Sequence, residues 1–300
     1  MPDPGTIRVG ISGWRYAPWR GSFYPRALPQ AAELSYAGAR FAALEINGTF
    51  YSLQRPSSFA RWARETPADF VFAIKGSRYI THMLKLRGIR SAMANFFASG
   101  LCRLGSKLGP ILWQLPPSLR YDSDRMRAFC DLLPGDGEAA LALARRRDRR
   151  LAGRAALAFD RRQRLRHAIE IRHESFLDTD FIDLLRQYNI ALVVAETARR
   201  WPMPCDVTAD FIYLRLHGDR ELYRSGYGPK ALERWARRIR AWARGAEPRD
   251  VRRVAGRAMQ SAGARDVYCF FDNTDAKLRA PFDALALARR LRGGGGRLPH

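Results

Sequence analysis

Lysine is nearly missing from this chain. Among 52 basic residues only Lys75, Lys85, Lys107, Lys230 and Lys277 are lysines, so the formal net charge of +23 rests on arginine. Such an excess attracts phosphate-bearing partners over a Debye length, although the codon bias of a GC-rich genome produces the same composition with no partner at all. Cysteine is scarce as well. Cys102, Cys130, Cys205 and Cys269 are scattered with no CxxC pair, which argues against a disulfide framework or a thiolate zinc site and leaves buried, reduced thiols. Histidine occurs five times, without HxH or HExxH spacing. No GxGxxG and no GxxxxGK[ST] loop is present, so no cofactor is expected. No apolar run approaches the length that spans a bilayer, and the opening MPDPGTIRVG lacks the basic head and apolar stretch of a secretory signal. A cytoplasmic protein with no membrane partner is the expectation.

What is present points to an α/β chain. Of 300 residues, 47% are apolar, enough for one large core. Eight short segments rich in β-forming residues recur: Ile7 to Gly13, Ala43 to Phe50, Phe70 to Lys75, Gly109 to Leu115, His167 to Ile171, Ala191 to Ala195, Phe211 to Leu216, and Asp266 to Phe271. Amphipathic stretches alternate with them, among them Pro56 to Thr66, Ile89 to Leu104, Asp180 to Tyr188 and Pro229 to Arg244. Eight strands alternating with helices predict a TIM (β/α)8 barrel, one domain over residues 1–292. The connection between strands four and five holds AALALARRRDRRLAGRAALAFDRRQR, read as an Arg-rich helical insertion broken at Gly153, with its arginines on a solvated face. The ending GGGGRLPH, residues 293–300, has no periodicity and reads as a disordered tail.

In a barrel of this kind the interior is packed, and polar residues at the C-terminal ends of strands reach the mouth where sites are built. Strand two ends with Glu45 and Asn47, and strand three with Lys75, followed by Arg78, Thr81 and His82. Strand four offers Gln114; strand five ends with Glu170, Arg172 and His173, and strand six with Glu196. Strand seven ends with Arg215 and His217, and strand eight with Asp272 and Asn273. Glu170 and Arg172 share a face of their strand, as do Arg215 and His217, because side chains repeat every second residue. A buried charge must find an opposite charge or a ligand. Purely structural Glu–Arg pairing is one solution; a set of charged strand ends is more than stability requires.

Three readings of these residues follow. In the first, an enzyme acts on a phosphate-bearing or otherwise anionic substrate, nucleic acid included. Lys75, Arg78, Arg172 and Arg215 neutralise oxyanions, Glu45 or Glu170 is the general base, and His217 the acid. Trp14, Asn47, His82, Gln114, His173, Tyr223, Tyr227, Asp272 and Asn273 contact the substrate. In the second, nucleic acid is bound without chemistry, with Trp14, Tyr16, Trp19, Tyr51, Tyr79, Tyr223 and Tyr227 stacking on bases, unless these rings only stack on one another. In the third, Glu45, Glu170, His173, Glu196, His217 and Asp272 supply metal ligands for a phosphodiesterase-like hydrolysis. The cations among the same strand ends oppose that reading, and no metal is expected.

Several of these segments carry a resemblance. GISGWRYAPWRGSFYP (Gly10 to Pro25), EINGTFY (Glu45 to Tyr51), KGSRYITH (Lys75 to His82), GPILWQLPP (Gly109 to Pro117), EIRHESF (Glu170 to Phe176), YLRLHG (Tyr213 to Gly218) and FFDN (Phe270 to Asn273) resemble the DUF72, or YecE-like, family over almost the whole length. The resemblance implies a TIM-barrel fold and no settled activity. Asp272 stands where many members carry Asn.

Overall fold

The computed structural model describes residues 4–256, 263–273 and 278–292. The predicted tail at 293–300 lies outside them. In chain order the first elements are β1 (Ile7–Ser12), α1 (Glu33–Gly38), β2 (Ala43–Ile46), α2 (Gly48–Tyr51), α3 (Pro56–Arg64), β3 (Val71–Lys75), α4 (Arg90–Ala98) and β4 (Leu108–Gln114). After them come α5 (Ser123–Leu132), α6 (Gly137–Arg145), β5 (His167–Glu170), α7 (Thr179–Gln187), β6 (Ala191–Leu192), β7 (Val194–Glu196), β8 (Phe211–Leu216), α8 (Pro229–Ala243), β9 (Asp266–Phe271) and α9 (Ala280–Arg292). Every segment predicted as a strand holds one, the sixth being interrupted at Val193. Strands alternating with helices give the α/β, TIM-barrel fold class. No helix among the described residues is long and apolar enough to cross a membrane.

Three stretches depart from the sequence pattern. The second strand stops at Ile46 because the Thr49 hydroxyl donates to the carbonyls of Ile46 (2.9 Å) and Lys75 (2.7 Å), turning the chain into α2. The helix predicted to reach Leu104 ends at Ala98; Gly100 follows at φ +124°, its α-carbon so close to Pro56 that a Cβ would lie 2.6 Å from it. The Arg-rich connection is helical only in part. Its helix α6 ends at Arg145, one 3-10 turn occupies Arg149–Leu151, and the chain is then irregular up to β5. Three consecutive arginines repel one another at the helix end, Asp148 caps the new turn by accepting from the Arg150 amide, and Gly153 takes a left-handed φ of +68°.

The chain divides into two compact units, residues 1–45 with 174–300, and residues 46–173. In the first, β1 pairs in parallel with β2 and β9, and β8 with β9 and β7. These strands are buried along almost their whole length, as parallel strands covered on both faces are, with Trp235 and Trp242 of α8 among the buried side chains. In the second, β4 pairs in parallel with β3 and β5, aligning Lys75 with Leu112 and Gln114 with Glu170. Asp122 and Asp136 cap α5 and α6 by accepting from the amides of Arg125 and Ala139.

The core of this second unit gathers Phe96, Trp113 and Phe129, and Trp113 Nε1 donates to His167 Nδ1 at 3.1 Å. His167 Nε2 therefore carries the ring proton, directed at the Pro134 carbonyl 2.8 Å away. Burial pushes this histidine down to about 4. Between about pH 6.5, its ordinary value, and about 4 the unfolded chain binds a proton that the native one does not, so stability falls as pH falls through that window. We expect His167 to contribute up to about 3 kcal/mol of this loss. Urea denaturation across the window should show a shallower pH slope for His167→Gln, which keeps both hydrogen bonds. An identical slope in the variant contradicts the account.

Candidate functional site

In the unit formed by residues 1–45 and 174–300, the register sets Ser12 of β1 beside Glu45 of β2. Glu45 is fully buried and receives four hydrogen bonds: from Ser12 Oγ (2.8 Å) and Arg215 Nη2 (2.8 Å) on one oxygen, and from Tyr213 OH (2.7 Å) and Arg215 Nε (3.0 Å) on the other. Arg215 thus makes a bidentate pair, the strongest arrangement open to a guanidinium and a carboxylate. Its Nη2 also donates to Asp272 Oδ2 at 3.0 Å, and Nη1 lies 3.2 Å from His217 Nε2. A guanidinium only donates, so in the neutral ring Nε2 accepts and the proton sits on Nδ1, 3.3 Å from Asp272 Oδ2. Tyr223, at φ +61°, packs edge-on against His217.

Other predicted contacts in this unit belong to loops held on themselves. Tyr227 is buried, its hydroxyl accepting from the Gly218 amide and its own amide donating to Asp283. Asn273 is buried too, its Nδ2 donating to the Ser225 carbonyl and to Asp283. Glu196 accepts from the Trp235 indole at 2.8 Å, and burial raises its carboxyl above the usual range. Trp14 is buried, and its carbonyl accepts from the Tyr24 hydroxyl. Trp19 packs on Tyr16, Phe23 and Tyr24 at ring separations of 5.5 to 6.1 Å. Stacking of these rings on one another, the alternative to base stacking, is what the loop after β1 shows.

The unit of residues 46–173 carries a different cluster. Gly76 ends β3 directly over Trp113, where a Cβ would lie 2.3 Å from the indole ring. Glycine here lets the backbone pass, and Lys75 precedes it. The Lys75 side chain is only 9% exposed, and its ammonium stands 4.3 Å above the centre of the Phe50 ring, a cation–π contact. Phe50, on α2, is the member of this cluster that the strand-end pattern passes over, because that pattern collects polar residues and Phe50 is apolar. Glu170, fully buried at the end of β5, accepts on Oε1 from Gln114 Nε2 (2.9 Å) and Arg172 Nε (2.8 Å). His82 packs edge-on against Phe50, and its Nδ1 lies 2.8 Å from Thr81 Oγ1. Burial first, and then the positive charges of Lys75 and Arg172, push this histidine down to about 4, against a smaller opposing pull from Glu170. Arg78 is exposed, 5.8 Å from the Tyr51 ring, while Asn47 and His173 are half-buried at the two ends of the unit. The Asn47 Oδ1 atom is buried with no hydrogen-bond partner among the described residues.

Residues 8–299 match the family described as "Protein of unknown function DUF72". The chain belongs to the DUF72 family. It is similar to UPF0759 protein YecE of Escherichia coli, at 26% identity over 131 residues, 43% of this chain and 45% of that protein. It is also similar to UPF0759 protein YunF of Bacillus subtilis, at 26% over 150 residues, 47% of this chain and 51% of that one. These matches span about half the length of either relative. The crystal structure of a DUF72 family protein from Thermotoga maritima is similar over 96% of this chain and 99% of that one, with a TM-score of 0.70 and 22% identity. One from Enterococcus faecalis is similar over 96% of both, at 0.65 and 15%. At these identities the likeness to solved structures carries the fold of this DUF72 protein and no activity.

Removing one partner of a buried ion pair costs about 3–5 kcal/mol, since the other charge stays behind. Arg215→Met in this DUF72 protein should therefore unfold at lower urea by a difference of that order, with Glu45, Asp272 and His217 all left without their common donor. Wild-type stability in the variant contradicts a structural role for Arg215.

Proposed function

We propose that this DUF72 protein is an enzyme acting on a phosphate-bearing or other anionic substrate, bound in residues 46–173 by Lys75 and Arg172 with Arg78 at the exposed margin. The observation that carries the reading is the placement of the Lys75 ammonium, almost removed from water on the face of Phe50. A cation held in a dry part of the molecule attracts an anion more strongly than one in open water. Glu170, the carboxylate of this cluster, already accepts from Arg172 and Gln114. Lys75, Arg78 and Arg172 thus give residues 46–173 a set of cations of the kind that takes an anion. His82 is consistent with the same reading, since after burial the largest causes that push it down are the charges of Lys75 and Arg172. Glu170 aims Arg172 and takes the proton-transfer role. We do not extend that role to Glu45, whose two oxygens are taken by Ser12, Tyr213 and Arg215.

Arg215 bears on the metal reading as well. Glu45, His217 and Asp272 converge on its guanidinium, so a positive charge already occupies the position a metal would take. Among the described residues no group of three or more His, Cys, Asp or Glu is arranged to hold a metal ion.

Calorimetric titration with inorganic phosphate and a turnover screen over phosphate monoesters and diesters test the proposal. Lys75→Met and Arg172→Gln should each weaken phosphate binding by about tenfold or more. Glu170→Gln should bind but turn over about a hundredfold more slowly. Undiminished phosphate binding by Lys75→Met rejects the site.

A further inference from the structure

A second basic feature in residues 46–173 plays no part in the site above. After β3 the chain makes a π-helical turn at Tyr79–Met83 and then passes through Lys85 and Leu86 at φ +47° and +64°. Two left-handed non-glycine residues in succession are costly, and such strain marks places where a backbone shape is needed. This segment, Met83 to Arg87, faces Ser118 to Arg125 across a cleft of about 430 Å³, within the range of small-ligand pockets.

The cleft is cationic. Lys85, Arg87 and Arg120 are exposed along it and make no ion pair of their own among the described residues, whereas Asp122 is paired with Arg125 at 3.1 Å. Met83, which lines the cleft, is 63% exposed, and Tyr79, at the other end of the same π-helical turn, is 41% exposed. Arg150 interacts with the Tyr79 hydroxyl, bringing the Arg-rich connection to the same turn. That connection holds ten arginines against two aspartates between residues 145 and 166.

We infer that this cleft binds a single strand of nucleic acid, with phosphates on Lys85, Arg87 and Arg120 and a base on Tyr79. A concave basic groove beside an exposed ring face is how sequence-tolerant single-strand binding works, since every base has a face to stack and every residue a phosphate. An acidic protein surface needs the cations but not the ring, and a membrane surface would not use a concavity. A duplex hides the base faces that Tyr79 would meet. The inference does not depend on catalysis at Lys75.

Fluorescence anisotropy with a labelled oligothymidylate of about 12 nucleotides, within the usual site size, provides the test across a salt series. Replacing Lys85, Arg87 and Arg120 together by Gln should lower the log–log salt slope by about 2, three phosphate contacts at about 0.7 each. Tyr79→Ala should weaken binding by about tenfold. Because all four side chains are exposed, both variants should melt as wild type, and the triple variant should keep its affinity for inorganic phosphate at Lys75. Oligonucleotide binding that is absent, unchanged in the triple variant, or equally tight for the duplex overturns the inference. The first two outcomes leave the Lys75 reading standing. Undiminished phosphate binding by Lys75→Met, with the oligonucleotide salt slope lowered in the triple variant, would reject the Lys75 site and leave the cleft standing instead.

Discussion

An ionised side chain taken out of water must be given partners or a ligand, or else it gives up its charge. The strand ends of this protein meet that constraint in two ways. Around Arg215 it is met internally: two carboxylates and an imidazole converge on one guanidinium, and Glu45 also accepts from a phenol and a hydroxyl. Around Lys75 the surroundings are of another kind. The ammonium rests on an aromatic face, Glu170 is shared by Arg172 and Gln114, and the neighbouring histidine is held neutral. The first arrangement has the chemistry of a structural lock; the second is the one we propose receives an anion.

Strand ends were legible in the sequence because parallel strands are short apolar runs whose first polar residue marks the exit from the core. Glu45, Lys75, Gln114, Glu170, Arg215 and Asp272 all stand at or just past such exits. What could not be read was which charges close on each other. Glu45 and Arg215 lie 170 positions apart, and nothing local distinguishes a carboxylate saturated by four donors from one that faces substrate. The aromatics show the same limit. Trp14, Trp19 and Tyr227 are as suited by type to stacking on bases as Tyr51 and Tyr79, yet the first three are buried and the last two are 68% and 41% exposed. Phe50, the platform for Lys75, escaped the pattern because the pattern is one of polar strand ends, and a ring that carries a cation looks in sequence like any other core residue.

The arginine excess has a comparable history. Composition alone leaves a biased genome and an anionic partner equally good explanations. Position separates them at some sites: Arg215 and Arg238 are buried in ion pairs, while Arg87 and Arg120 line a cleft beside a strained backbone and Arg150 meets Tyr79. Cations that serve packing and cations that face solvent in a concavity are thus different populations within one composition.

The central claim is that the positive field of Lys75 and Arg172 draws an anion to this cluster. His82 reports that field from within the cluster. Following its ring resonances by NMR as a function of pH should give a midpoint near 4 in the free protein, rising when saturating phosphate offsets the two cations. A midpoint near the ordinary value of about 6.5, or one that phosphate leaves unmoved while it binds, would contradict the account.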